Sequence, residues 1–112
     1  MNLFTLVSGD TKRELRISFL QRKDGFTDPQ PLDEQPESVT LRTKVNGTWI
    51  EREMEWDAAN QEWFYRPQTS DYTAIPASAS NYEMNFRLTW ADGYQATAPT
   101  EGRDWLKVRS AD

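Results

Sequence analysis

Apolar and polar residues alternate strictly over residues 82–90. The apolar positions are Tyr82, Met84, Phe86, Leu88 and Trp90. Side chains of a β-strand point alternately to opposite faces, so this pattern predicts a half-buried strand with one face in a core. Ala91-Asp92-Gly93 follows, where Asp92 and Gly93 are expected to supply the positive φ angles of a tight hairpin. Residues 94–97 are then the predicted partner strand.

The same alternation recurs along much of the chain. It predicts further strands at 3–7, 15–20, 39–45, 48–53, 62–66 and 105–108. Asn46-Gly47, between two of these strands, is a strong signal for a two-residue hairpin. Residues 54–56 either continue the strand before them or bend it. Residues 72–75 are predicted to be extended, and 76–80 to form a loop of small residues.

Residues 26–37 interrupt this pattern. The segment carries three prolines, and proline cannot donate a hydrogen bond to a sheet, so we expect an extended surface loop. Elsewhere the chain shows seven or eight short strands with a turn signal about every 8–12 residues. This spacing predicts one all-β domain over 1–112, an antiparallel immunoglobulin-like β-sandwich with a short polar C-terminal tail. A closed barrel such as an OB-fold is the alternative architecture.

The predicted core consists of the inward-facing residues of the strands. They are Leu15, Ile17, Phe19, Val39, Leu41, Tyr82, Phe86, Leu88 and Trp90.

Composition narrows the classes of function. The net charge of −5 argues against nonspecific binding to nucleic acid or to an anionic membrane, both of which need a basic surface. The chain contains no cysteine and no histidine, which removes thiolate ligands and the commonest general base. The first residues show neither a secretory signal nor a long apolar run, so we expect synthesis in a cytoplasm.

Two groups of carboxylates are candidates for a chemical site. Glu51, Glu53 and Glu55 would share one face of a straight strand and could in principle serve a glycosidase. A solvated strand face that deters edge pairing explains them better. Four acidic residues in and just before the proline-rich loop could ligate calcium, but they lack the spacing of a calcium loop. They are Asp24, Asp28, Asp33 and Glu34. We therefore expect no enzyme activity, no cofactor and no metal.

The tryptophans are the remaining candidates for a site. Trp49, Trp56 and Trp63 could belong to the core, to a protein interface or to a platform that stacks on sugar rings. The third possibility would make the protein a carbohydrate-binding module. Since residues 63–65 place aromatic rings on both faces of one strand, at least one ring is expected outside the core. The candidate interface residues are Phe26, Pro29, Pro31, Leu32, Trp63 and Tyr65.

The first third of the chain resembles a known family. Residues 4–11 end in Gly9-Asp10-Thr11, and an alternating strand at 15–19 and the Asp24-Gly25 turn follow. This order is similar to that of a family of tailed-phage virion domains, related to the N-terminal domain of phage upper baseplate proteins. The strand at 39–42 continues the resemblance.

The last third resembles the same family. Tyr82 opens a long strand, Asp92-Gly93 turns the chain, and Pro99 and Gly102 precede a final hydrophobic strand. The resemblance gives Gly9, Asp10 and Thr11 a structural role in a turn, in which the Asp10 and Thr11 side chains cap backbone N–H groups.

The resemblance implies a structural virion subunit without catalytic activity. Such a protein would be a bridging, cement or whisker-type subunit, and its partners would be capsid, neck, tail or baseplate proteins. Because virion parts are repeated by symmetry, several equivalent copies are expected.

Overall fold

The computed structural model describes residues 2–100 and 102–111, and its architecture is all-β. Strands account for 47% and helix for 4%, which confirms the predicted class. The elements are β1 Leu3–Val7, β2 Leu15–Ile17, β3 Leu20–Gln21, β4 Gln30–Pro31, β5 Ser38–Val45, β6 Thr48–Glu53, β7 Glu55–Asp57, β8 Glu62–Tyr65, α1 Asp71–Ala74, β9 Tyr82–Thr89, β10 Gln95–Ala98 and β11 Asp104–Arg109. The described residues form eleven strands rather than seven or eight, because the short strands β3, β4 and β7 were not anticipated as separate strands.

Six strands form the main sheet, in the order β1-β11-β9-β5-β6 with β10 also paired to β9. All of its pairs are antiparallel except β1 with β11, which run parallel. β10 and β11 lie along successive stretches of the same edge of β9. Ala98 is opposite Phe86, and Asp104 is opposite Met84.

Two smaller sheets complete the fold. β2, β8 and β7 form an antiparallel three-stranded sheet, and β3 pairs with β4. The chain passes from the main sheet to the three-stranded sheet at Met54, which is buried and donates its N–H to the Val39 carbonyl at 2.9 Å. Residues 54–56 therefore bend the chain.

One hydrophobic core joins the main and three-stranded sheets. Its buried members are Leu6, Leu15, Phe19, Val39, Leu41, Met54, Trp63, Ile75, Met84, Phe86, Leu88, Leu106 and Val108. Six of the nine residues predicted to be buried belong to this set. The other three, Ile17, Tyr82 and Trp90, are half-buried and pack against it. The alternation in the strands therefore located most of the core.

The predicted turns form, with one difference in geometry. Asn46 and Gly47 have φ angles of 51° and 83°, as a two-residue hairpin between Val45 and Thr48 requires. In the second hairpin only Gly93 has a positive φ, 91°, and its N–H bonds to the Trp90 carbonyl at 2.9 Å. This is a three-residue loop closed by glycine, so the prediction of positive φ at Asp92 was wrong. Asp92 instead accepts the Tyr94 N–H at 3.1 Å.

The turn at residues 9–11 is capped by one side chain. Gly9 has a φ of 88°, and Asp10 Oδ1 accepts the N–H groups of Lys12 and Arg13 at 2.8 and 3.3 Å. These bonds hold the pKa of Asp10 below its ordinary value. The capping role predicted for Asp10 is thus confirmed, whereas Thr11 makes no such bond to another described residue.

Two local predictions were wrong. Residues 72–75 were expected to be extended, but 71–74 form one helical turn, closed by the Ile75 N–H bonding to the Asp71 carbonyl at 2.7 Å. Residues 26–37 were expected to lack strands, but Gln30 and Pro31 pair with β3. Pro31 can occupy this position because β4 is an edge strand, where a missing donor costs little.

Candidate interaction surface

The carboxylates of β6 are engaged by neighbouring side chains. Arg42 Nε donates to Glu51 Oε2 at 3.0 Å, and Arg87 lies 3.7 Å from the same oxygen. Glu53 accepts the Thr40 hydroxyl at 2.9 Å. Glu55 belongs to β7, in the three-stranded sheet. The glycosidase hypothesis assumed one straight strand, whereas the three glutamates lie on two strands of different sheets.

A second ionic cluster surrounds Arg16 on the three-stranded sheet. Its guanidinium bonds to Glu14 at 2.7 Å and to Asp57 at 2.8 Å, and lies over the Phe64 ring at 5.0 Å. The Asn60 amide and Arg16 together lower the pKa of Asp57 to about 2. These contacts join β2, β7 and β8 across the surface of the sheet and have a structural role.

A third cluster centres on the buried carboxylate of Asp71. It accepts hydrogen bonds from Arg52 Nε at 2.7 Å, from the Gln68 N–H at 2.8 Å and from the Tyr65 hydroxyl. Burial acts to raise the pKa of Asp71, but the bonds from Gln68, Tyr65 and Arg52 outweigh it and keep the pKa below its ordinary value. The cluster ties α1 to β8 and to β6 of the main sheet.

The acidic side chains of the proline-rich loop are not gathered into one cluster among the described residues. Asp33 pairs with Lys23, and no group of three metal-ligating side chains comes together within residues 2–100 and 102–111.

The tryptophans do not form an open platform. Trp63 is only 4% exposed, and its ring centroid lies 5.3 Å from that of Trp56, so Trp63 is a core residue and the interface prediction for it was wrong. Trp49 is covered by the Arg42 guanidinium, 4.6 Å from its ring. Tyr65 is half-buried, with its hydroxyl bonded to Asp71. Neither the sugar platform nor an aromatic interface on β8 is favoured.

The proline-rich loop borders an open groove of about 730 Å³. We call it the apolar groove. It lies between the β3–β4 hairpin and β10, and its apolar wall includes Leu20, Pro29, Leu32, Trp90, Ala98 and Pro99. Leu20 is 56% exposed although it is hydrophobic. The structure thus brings two predicted interface residues, Pro29 and Leu32, into one concave apolar surface.

The other predicted loop residues lie beside this groove. Phe26 is 58% exposed and shares a smaller concavity with Pro29, while Pro31 is exposed on β4. The sequence pattern does not indicate Leu20 as a site residue, because it places Leu20 at the end of a strand, and it places Trp90 in the core. Trp90 in fact reaches both regions: it packs on the core, lines the groove and donates its ring N–H to the Glu34 carbonyl at 3.1 Å.

Comparison with protein families, with curated proteins and with solved structures finds no match for this chain. Within the described part of the chain, no helix is long and apolar enough to cross a membrane.

Proposed function

We propose that this protein is a structural, non-catalytic subunit of a tailed-phage particle, located in the virion. It docks onto larger capsid, neck, tail or baseplate proteins as a bridging, cement or whisker-type component. The resemblance of residues 4–19 and 82–108 to virion domains supports the phage assignment. The observation that carries the docking role is the apolar groove beside the proline-rich loop.

The surface chemistry agrees with docking rather than with catalysis. Two of the three candidate carboxylates, Glu51 and Glu53, are bonded to an arginine and to a hydroxyl group, whereas the groove exposes apolar side chains to water. An exposed apolar patch of this kind is typical of a protein interaction site. Proline lowers the entropy that the loop loses on docking, because its backbone is already restricted.

We further propose an immunoglobulin-like arrangement of the two larger sheets and several symmetry-related copies per particle. The shared core of the two antiparallel-rich sheets supports the first proposal. The second follows from the symmetry of virions.

The assignment is tested by mass spectrometry of purified particles of the phage whose genome encodes this chain. We expect its peptides to remain after gradient purification and a high-salt wash, at a constant ratio to the major capsid protein. A nonstructural protein of the same phage is the control and should be lost. If this chain is lost together with the control, the virion assignment is wrong.

A further inference from the structure

We propose that β10 and the apolar groove together bind an extended segment of a partner protein, which adds to the main sheet as a further strand. This inference names the kind of partner contact and rests on the docking role proposed above. Three features support it: a backbone edge of β10 that no described strand covers, the groove beside that edge, and a cation on the wall of the groove that has no ion-pair partner among the described residues.

The hydrogen-bond register shows which backbone groups of β10 are free. The Trp90 N–H bonds to the Tyr94 carbonyl at 2.9 Å. Hydrogen-bonded and non-bonded residue pairs alternate along an antiparallel ladder, so Ala96 and Ala98 also bond to β9. Gln95 and Thr97 then direct their N–H and C=O groups away from β9. In the part of the chain that the structure describes, β10 has no strand on that side.

The groove lies beside this free edge on the core-facing side of the sheet. Ala96 and Ala98 are opposite Leu88 and Phe86, both core residues, and so share their face. Ala96 and Thr97 are exposed although they lie within a strand. An added strand would point every second side chain into the groove. The small alanine side chains leave room for those residues.

The composition of β10 leaves its edge open to pairing. Natural edge strands are commonly protected by charge, as β6 is by Glu51, Arg52 and Glu53. β10 has the sequence Gln-Ala-Thr-Ala and carries no charge. β1 is also uncharged, so it is the adjoining groove that distinguishes β10. Strand addition to an open edge is a recurring mode of peptide recognition, in which the main chain supplies affinity and pockets supply specificity.

Charge indicates one further property of the partner segment. Arg22 lies on the wall of the groove, and its guanidinium makes no ion pair with any described residue. A carboxylate on the bound segment would complement it. The inferred partner is therefore an extended peptide with apolar residues at alternate positions and an acidic residue within reach of Arg22.

The test uses the purified protein and a short synthetic peptide of alternating valine and threonine, with aspartate at each end. Nuclear magnetic resonance should show slowed amide exchange at Gln95 and Thr97 when the peptide is added, and no change at Trp49 and Glu51, which belong to the edge strand β6. Thr97→Pro removes the outward N–H donor and should weaken binding about tenfold, whereas Thr97→Ala should leave it unchanged. A matched peptide with lysine at each end should bind more weakly.

Several results would overturn the inference. One is the absence of protection at Gln95 and Thr97 at millimolar peptide, and another is equal binding by the Thr97→Pro and Thr97→Ala variants. Concentration-dependent protection of the same amides without peptide would show that a second copy of the chain occupies the edge instead. Loss of the chain from purified virions would contradict the virion assignment and leave this solution experiment valid, so the two failures are distinguishable.

Discussion

At the scale of single residues, Phe86 makes the central packing contacts of the core. It is 1% exposed, and its ring lies edge-on to those of Phe19 and Phe4, with centroids 5.4 and 6.1 Å away. We expect Phe86→Ala to lower the free energy of unfolding by roughly 3–5 kcal/mol, because it leaves a cavity in a close-packed region. Urea denaturation measures this change.

The matched control for this prediction is Tyr94→Ala, since Tyr94 is 74% exposed. It should change the free energy of unfolding by less than about 0.5 kcal/mol. Similar values for the two variants would contradict the placement of β9 in the core.

Asp57 supplies a second prediction at this scale. The Asn60 side-chain amide and Arg16 lower its pKa to about 2. Because the folded-state pKa is depressed, the stabilisation from this carboxylate is complete above pH 3.8, the ordinary value, and is lost as the pH falls through about 2. In Asn60→Ala the pKa should move upward, toward the ordinary value. Carboxyl chemical shifts followed against pH measure it.

Asn81→Ala is the control for that titration, since Asn81 is exposed and lies outside this cluster. This substitution should not change the pKa of Asp57. An Asp57 pKa near 3.8 in the unmodified protein would show that the Asn60 contact does not persist in solution.

At the scale of elements, the Asp71 cluster connects the two larger sheets through α1. Asp71→Asn removes the charge that Arg52, Gln68 and Tyr65 solvate, so we expect a loss of about 2 kcal/mol in the free energy of unfolding at neutral pH. The folded-state pKa of Asp71 is depressed, so the difference between the two proteins should shrink as the pH falls below 3.8. Urea denaturation at a series of pH values checks both parts.

Glu34→Gln serves as the control for Asp71→Asn, because Glu34 is exposed and its carboxylate has no bonding partner among residues 2–100 and 102–111. It should have little effect at any pH. A pH-independent loss in Asp71→Asn would mean that packing, rather than the charge, is what the aspartate contributes.

The register of β10 leads to a prediction about proline. The Ala96 N–H bonds to β9, so Ala96→Pro should cost about 1–3 kcal/mol of stability by leaving a ladder acceptor without its donor. The Thr97 N–H points to the free edge, so Thr97→Pro should cost clearly less. Thermal unfolding of the two variants compares them directly. Equal losses would contradict the assigned register.

The elements also show what sequence patterns can predict. β1 and β6 were predicted with the bounds that the structure has, and β5 and β9 to within one residue, because period-two alternation is a local property. The local pattern does not predict the helical turn at 71–74. Hydrogen bonds from Arg52 of β6 and Tyr65 of β8 to Asp71 hold this turn in place, and a local pattern does not contain such contacts with other elements. The position of β11 between β1 and β9 depends on long-range pairing, which no local pattern encodes.

Only part of the candidate site could be predicted, because local patterns identify surface loops but not long-range strand pairing. The sequence indicates Pro29 and Leu32 as interface residues, because a proline-rich loop is expected at the surface. The prediction of Trp63 as an interface residue was wrong, since aromatic residues on both faces of a strand do not reveal which face is buried. The free edge of β10 became visible only with the complete order of strands.

At the scale of the whole molecule, an interface of standard size would occupy about a tenth of the surface of this protein. An interface of standard size buries about 800 Å² per partner, whereas the accessible surface of this protein is 7359 Å². An interface of that size would have to include the β3–β4 hairpin and the edge of β10 as well as the groove. The rest of the surface, including its ion-paired faces, would then remain in contact with water.

Hydrogen exchange of the protein free in solution and within purified particles tests the central claim most directly. The account predicts that exchange slows on assembly at residues 20–32 and 94–98, while the outward amides of β6 remain unchanged. Particles that lack the chain, or protection confined to surfaces away from the apolar groove, would contradict it.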